Sequence, residues 1–202
     1  MDYENKILKL FKNGYLTTKT VTLKSIPRVY LSKMLKEGKI ERVSRGVYTL
    51  KDTLIDEFVI LQKKSKNAIY SNTTALFLHG FSNRIPLKYD ITINSGYNGS
   101  LQKDQNVQLF YVKKEELNIG VIDYKLKSGN IIKIYDLDKT ICDIIKNKKK
   151  IDAEIFNKAI RAYFYSTKKN TLKLYEYAKE MNIYNKVRKT FEVLTWLKIK
   201  TV

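Results

Sequence analysis

Acid–base, nucleophilic and metal chemistry all need particular side chains held close together, and this sequence is poor in them. His79 is its only histidine and Cys142 its only cysteine, which removes His-based catalytic pairs and His-rich metal sites. His79 closes a helix-like run just before Gly80, where a structural role is expected and the helix dipole favours the charged imidazole. Cys142 stands beside Ile141, Ile144 and Ile145 and reads as a buried thiol rather than a nucleophile. A lone cysteine forms no internal disulfide and fits a reducing cytoplasm. The nearest approach to a hydrolytic site is Asp90 with Asp123-Tyr124-Lys125, a carboxylate-x-lysine pattern able to hold a divalent metal that activates water. Asp90 has no adjacent proline, no supporting acid stands near, and no Gly-rich phosphate loop of Walker type occurs. A metal-dependent DNA nuclease therefore stays as the alternative reading. No catalytic residue, metal or cofactor is expected.

What the chain has in abundance is positive charge. Its 202 residues carry a formal net charge of +19, which points to a polyanionic partner. Lysine outnumbers arginine 33 to 6 amid many Ile, Asn and Tyr, a bias that an AT-rich genome also produces. Distribution is more informative than total. Residues 1–52 hold 12 basic against 5 acidic side chains, residues 53–135 hold 11 against 7, and residues 136–202 hold 16 against 8. Half of the arginines (Arg28, Arg42, Arg45) fall in the first segment, where codon bias explains them least.

The elements that would position these side chains follow from periodicity and caps. Tyr3 to Lys12 reads as a helix with Ile7, Leu8, Leu10 and Phe11 on an apolar stripe. Thr17 N-caps a second helix, Thr18 to Leu23. Ser25 is read as the N-cap of a third, with Pro27 in its first turn, Gly38 past its end, and Leu31, Met34 and Leu35 facing inward. Strands Lys39–Val43 and Val47–Leu50 join through Ser44-Arg45-Gly46. Helix, helix, helix, hairpin is the order of a winged helix. Its expected core is Ile7, Leu8, Phe11, Leu23, Leu31, Met34, Leu35 and Val47. On a helical wheel Val29, Ser32, Lys33 and Lys36 oppose that core, with Arg28 at the flank. Such a face suits a major groove: cations reach guanine edges or phosphates, and valine meets a thymine methyl. Ser25 and the amides after it are placed to clamp a phosphate. Arg42, Ser44 and Arg45 would bring the wing to the minor groove.

Beyond Asp52 the pattern changes. Leu54 to Lys63 reads as a connecting helix with Ile55, Phe58, Val59 and Gln62 on successive turns, and Thr73 to His79 as another. Tyr89 to Val112 alternates as strands separated by Asn94, Gly96, Asn98 and Gly99. Val121–Lys127 and Ile131–Tyr135 make a hairpin, and helices follow over Asp136–Lys146, Ala153–Tyr165, Thr171–Glu180 and Lys186–Leu197. Basic residues around the second of these (Lys158, Arg161, Lys168, Lys169) offer a second electropositive face. No apolar run is long enough to span a membrane, and the opening Asp2-Tyr3-Glu4 is unlike a secretory signal. The expectation is an α+β protein: a winged helix-turn-helix over residues 1–52, then a larger mixed α/β domain over residues 53–202 that ends in helices.

Three segments carry a family likeness. Ile40-Glu41-Arg42-Val43-Ser44-Arg45-Gly46-Val47-Tyr48 looks like a strand, an Arg-Gly turn and an aromatic-ended strand. Ser71-Asn72-Thr73-Thr74-Ala75-Leu76-Phe77-Leu78-His79-Gly80-Phe81 is similar to a helix ending in Leu-His-Gly. Asp136-Leu137-Asp138-Lys139-Thr140-Ile141-Cys142-Asp143-Ile144-Ile145 matches a segment where relatives often have Arg-Thr-x-x-Asp. Here Lys139 replaces that arginine and removes the planar fork a bidentate contact needs. In their order and spacing these segments resemble the AbiEi antitoxins of bacterial abortive-infection systems, classed as type IV, over nearly the whole chain. The resemblance implies two roles. The N-terminal domain would repress its own operon by binding inverted repeats in duplex DNA. The C-terminal domain would neutralise a nucleotidyltransferase-type toxin, a functional partner, without a stable complex.

Overall fold

The computed structural model describes residues 2–200, and the side chains of residues 2–195. Its first unit runs to Lys66 and includes Lys125–Ile132. In chain order it holds α1 (Tyr3–Lys9), β1 (Tyr15–Thr17), α2 (Thr18–Leu23), α3 (Val29–Lys36), β2 (Ile40–Ser44), β3 (Val47–Leu50) and α4 (Glu57–Lys64). The strands form an antiparallel sheet in the order β1-β3-β2. This is a winged helix, with a short strand β1 ahead of α2 that periodicity misses because it spans only Tyr15-Leu16-Thr17. Asn13 and Gly14, both at positive φ (49° and 82°), turn the chain into it.

Caps decide where the helices stop and start. Thr17 accepts from the Thr20 amide at 3.2 Å, as its position predicts. Ser25 does not cap α3. It sits at φ 54°, its amide donates to Thr22 O at 3.0 Å, and the Ile26 amide reaches back to Val21 O at 3.2 Å. That pair of bonds is a Schellman closure of α2, with serine in the left-handed position usually given to glycine. The first turn of α3 starts instead at Pro27, whose carbonyl accepts from Tyr30 N at 3.2 Å. Gly38, at φ 66°, ends α3 as expected.

Ile7, Leu16, Val21, Ile26, Leu31, Met34, Ile40 and Tyr48 form the core of this unit. Leu8 and Leu23 do not join it. They are 38% and 73% exposed, because Leu8 lies about 100° around α1 from the buried Ile7 and Leu23 about 200° around α2 from the buried Val21. The helix expected from Leu54 begins only at Glu57: Asp56, in extended backbone, captures the Phe58 amide at 3.1 Å, and Leu54 and Ile55 are left exposed. Asp56 also accepts from Ser128 Oγ at 2.7 Å, and its amide donates to the Tyr15 hydroxyl at 2.7 Å.

The second unit comprises residues 67–124 and 133–202. It contains β4 (Ile69–Tyr70), α5 (Asn72–Leu78), β5 (Tyr89–Asn94), β6 (Val107–Val112), α6 (Lys114–Leu117), β7 (Val121–Lys125), β8 (Ile131–Tyr135), α7 (Leu137–Lys146), α8 (Ala153–Tyr165), α9 (Thr171–Glu180) and α10 (Tyr184–Lys200). The sheet order is β6-β5-β4-β8-β7, and β5 and β6 run parallel in register from Tyr89↔Val107 to Asn94↔Val112. Helix α7 is the centre of the helical part: every residue from Leu137 to Ile145 is buried.

That burial includes ions. Lys139 is 1% exposed, its ammonium 2.7 Å from Asp143 Oδ1 and 4.0 Å above the Tyr135 ring. Asp143 Oδ2 has no hydrogen-bond partner, so the pair is single-pointed where an arginine would make two contacts. Burial pushes the Asp143 carboxyl up, against the pull of Lys139. Asp136 accepts from the Lys139 amide at 2.8 Å, the Tyr177 hydroxyl at 2.9 Å and the Lys173 ammonium at 2.7 Å. Asp138 accepts from the Tyr163 hydroxyl at 2.6 Å and the Asn170 amide at 2.9 Å, which ties α7 to α8 and to the start of α9. Asp90 is a fourth buried acid, accepting from the Thr73 amide at 2.9 Å and the Thr73 hydroxyl at 2.5 Å at the start of α5.

Two outcomes follow. Lys139→Met strands the Asp143 carboxyl and should destabilise the fold by about 3–5 kcal/mol in urea unfolding, with much of the loss restored by Asp143→Leu in the same chain. A loss under about 1 kcal/mol would show that the pair does not hold α7 in place. The second concerns Asp90, whose carboxyl burial pushes from 3.8 up to about 6. An acid with a raised folded pKa takes up protons on folding, so its ionised form opposes the fold. The penalty is absent below about pH 4, grows through the window to about 6, and is complete above it. The protein should lose up to about 3 kcal/mol across that window relative to Asp90→Asn. Parallel pH profiles of the two proteins would remove the assignment.

Candidate nucleic-acid interface

Helix α3 presents two chemically distinct sides. Leu31 and Met34 are buried, while Arg28, Val29, Ser32, Lys33 and Lys36 are exposed, Val29 by 66%. An exposed valine in an otherwise polar row gains nothing in water and suits a thymine methyl. Arg28 is oriented before any ligand arrives, its Nε donating to Thr22 Oγ1 at 3.1 Å. Lys33 is not a free cation: it lies 2.7 Å from Glu4 Oε1 and 3.7 Å from Glu37 Oε1. Its hydrogen bond to Glu4 holds the ammonium above its ordinary pKa. Lys39 closes the cluster, at 2.6 Å from Glu4 and 2.8 Å from Glu37. The wheel places Lys33 correctly on the exposed side but does not see this acidic neighbour on α1. Ser25 is exposed and belongs to the turn before α3.

The wing is held from below. Gly46 O accepts from the Thr18 amide at 2.9 Å, which fastens the hairpin tip to the start of α2. Gly46 sits at φ 75°, and a Cβ there would stand 3.3 Å from Thr18 Oγ1. A register shift between Arg42 and Ser44 bulges Val43 out of the pairing. Arg42 and Arg45 are exposed and Ser44 is half-buried. The structure thus puts Arg28, Val29, Ser32 and Lys36 on one helix face and Arg42 and Arg45 on a fixed hairpin.

The other chemistry-bearing residues do not assemble into a site. Asp90 on β5 and Asp123 on β7 are separated by β4 and β8, roughly 14 Å at the usual strand spacing, too far to share one metal. Asp123 is paired to Lys133 at 2.6 Å. No cluster of three or more metal-ligating side chains occurs among the described residues. His79 has the structural role expected, its Nε2–H donating to Tyr135 O at 2.8 Å. The expected preference for its charged form is overturned, since burial lowers its pKa. Cys142 is buried, and burial pushes its thiol pKa up, away from nucleophilic use. No helix among the described residues is long and apolar enough to cross a membrane.

Residues 5–51 match the family described as "Transcriptional regulator, AbiEi antitoxin". The N-terminal domain is therefore a regulator domain of the AbiEi antitoxin type. Comparison with curated proteins gives no match. Among solved structures the chain is similar to the RV2827C protein from Mycobacterium tuberculosis, with a TM-score of 0.57 at 8% identity. The likeness covers 82% of this chain and 66% of that one, just under two thirds of its length. At that identity it shows a shared fold and nothing more.

Because Gly46 carries both the left-handed turn and the bond to Thr18, Gly46→Ala should cost about 1 kcal/mol or more in urea unfolding. An unchanged midpoint would mean that the wing tip is not fixed by this contact.

Proposed function

We propose that this protein is the antitoxin of a type IV toxin–antitoxin pair of the abortive phage-infection kind. In the cytoplasm it represses its own operon by binding inverted repeats at the promoter. It also neutralises a nucleotidyltransferase-type toxin without a stable complex. One observation carries the reading: the segment that matches the AbiEi antitoxin regulators, residues 5–51, is the same segment that exposes the α3 face and the fixed wing. Residues 1–52 read the DNA and residues 53–202 act against the toxin.

In this reading Val29, Ser32 and Lys36 enter the major groove. Arg28, held by Thr22, meets a guanine edge or phosphate at its rim. Lys33, itself exposed, exchanges its half-buried partner Glu4 for a DNA phosphate, and Glu4 keeps Lys39 as a partner. Ser25 lies in the turn that approaches the backbone. Arg42, Ser44 and Arg45 follow the minor groove or its phosphates. Inverted repeats need two copies of this reading head, so a filled operator binds two chains.

The test is to separate the two activities in the full-length chain. Arg42→Ala with Arg45→Ala should weaken promoter binding tenfold or more, at about 1–3 kcal/mol for a base contact, and derepress a promoter fusion. Cells should remain protected from the toxin. Wild-type affinity in the double variant would remove the wing from the interface. A folded variant that no longer protects would show that neutralisation depends on DNA binding. Co-purification of toxin and antitoxin as a stable complex would refute the type IV mode while leaving the repressor intact.

A further inference from the structure

We infer that the cleft between α1 and the α2–α3 turn is a second DNA-backbone site, which takes a phosphodiester of the duplex flanking the groove occupied by α3. This rests on the DNA-binding reading above and adds residues that the α3 face and the wing leave out. The cleft has a volume of about 390 Å³, with Lys6 and Lys9 on one wall and Lys24 on the other. Tyr3, Leu10 and Ile26 form its apolar lining.

The charge arrangement is the first reason. The domain spends its acids elsewhere: Glu4 and Glu37 lie within 4 Å of Lys33 and Lys39. Lys6, Lys9 and Lys24 have no carboxylate within that distance among the described residues, and no acid lines the cleft. Lys6 has only the Tyr3 ring beneath it, 5.6 Å away. Lys6 and Lys9 are three residues apart and so share one face of α1. Three ammonium groups around one concavity repel each other, and a bound polyanion relieves that repulsion.

Position is the second reason. The Ser25 turn that carries Lys24 runs straight into Pro27 and Arg28, so the cleft adjoins the N-terminal end of the helix proposed to enter the groove. Tyr3, on the cleft wall, packs on Tyr30 of α3 with ring centroids 4.8 Å apart. The lining fits the ligand too. Ile26, Leu10 and Tyr3 offer an apolar surface for a deoxyribose edge, and the lysines at the rim meet the phosphate. The sugar–phosphate backbone of DNA has both parts.

The experiment measures binding of the full-length chain to its promoter duplex and to a scrambled duplex of equal length, by anisotropy over a range of salt. In Lys6→Gln/Lys9→Gln/Lys24→Gln the slope of log affinity against log salt should become shallower by about 1, at about 0.9 per phosphate neutralised. Affinity should fall by a similar factor on both duplexes, because phosphates carry no sequence. Arginine at all three positions should restore the slope, and Lys24→Gln alone should shift it by less than the triple variant does. An unchanged slope in a triple variant that still binds would overturn the cleft and leave the α3 interface standing. Loss confined to the promoter duplex would also overturn it, since the lysines would then be reading bases. Failure of the wild-type chain to bind either duplex would instead overturn the DNA-binding reading itself.

Discussion

The hydrogen bond from the Ile26 amide to Val21 O determines where α3 can point. To make it, the chain reverses at Ser25 through a left-handed backbone, a conformation disfavoured by about 1–2 kcal/mol for a residue with a Cβ. The return is the burial of Ile26, 6% exposed, against Val21, of the order of 1.5–3 kcal/mol for an isoleucine. Burial therefore wins, and the next residue is Pro27, whose fixed φ is already helical. From that fixed start the phase of α3 follows: Leu31 and Met34 must turn inward, which leaves Val29, Ser32 and Lys36 outward. Arg28 meets Thr22 because the same closure folds their two segments back on each other. One turn thus couples the core to the orientation of the exposed face of α3.

The same domain sorts its cations into two groups. Lys33 and Lys39 share Glu4 and Glu37, and the Lys33 hydrogen bond in turn lowers the Glu4 pKa below its ordinary value. These lysines hold α1 against α3 and the start of β2. The remaining cations of the cleft and wing have no such partner among the described residues and keep their field. A count of charges by segment cannot distinguish the two groups, because it sees neither Glu4 beside Lys33 nor the acid-free lining around Lys24.

Local chemistry made much of the architecture legible. Thr17 caps α2, Gly38 ends α3, Gly46 turns the wing and Gly80, at φ 77°, follows α5. Helices α8 and α9 have the bounds that periodicity gives, since Asp152 and Asn170 cap them with side-chain bonds to their first turns. Errors arose where a residue type has two uses. Serine two residues before proline reads as an N-cap, and only the long-range closure onto Val21 makes Ser25 a C-terminal turn instead. Ile55 fits a helical stripe, but Asp56 takes the Phe58 amide and defers the start. The parallel pairing of β5 with β6 was not legible either, because alternation reveals a strand and not its neighbour. Lys139 and Asp143 look like an ordinary i,i+4 surface pair. Their burial follows from packing by α8, α9 and α10, residues distant in sequence.

That burial bears on the charge of the second unit. Of its acidic side chains, Asp90, Asp136, Asp138 and Asp143 are inside, engaged by Thr73, Lys173, Tyr177, Tyr163 and Lys139. Among the described basic residues from 136 onward only Lys139 is buried. Placing acids inside and lysines outside makes the surface of the helical segment more positive than its residue count implies. The Asp143 carboxylate is offset by Lys139 inside the core, whereas each exposed lysine without a carboxylate partner contributes its charge at the surface. The surface field of the helical segment is therefore set by its exposed lysines, while its buried acids are committed to holding the fold.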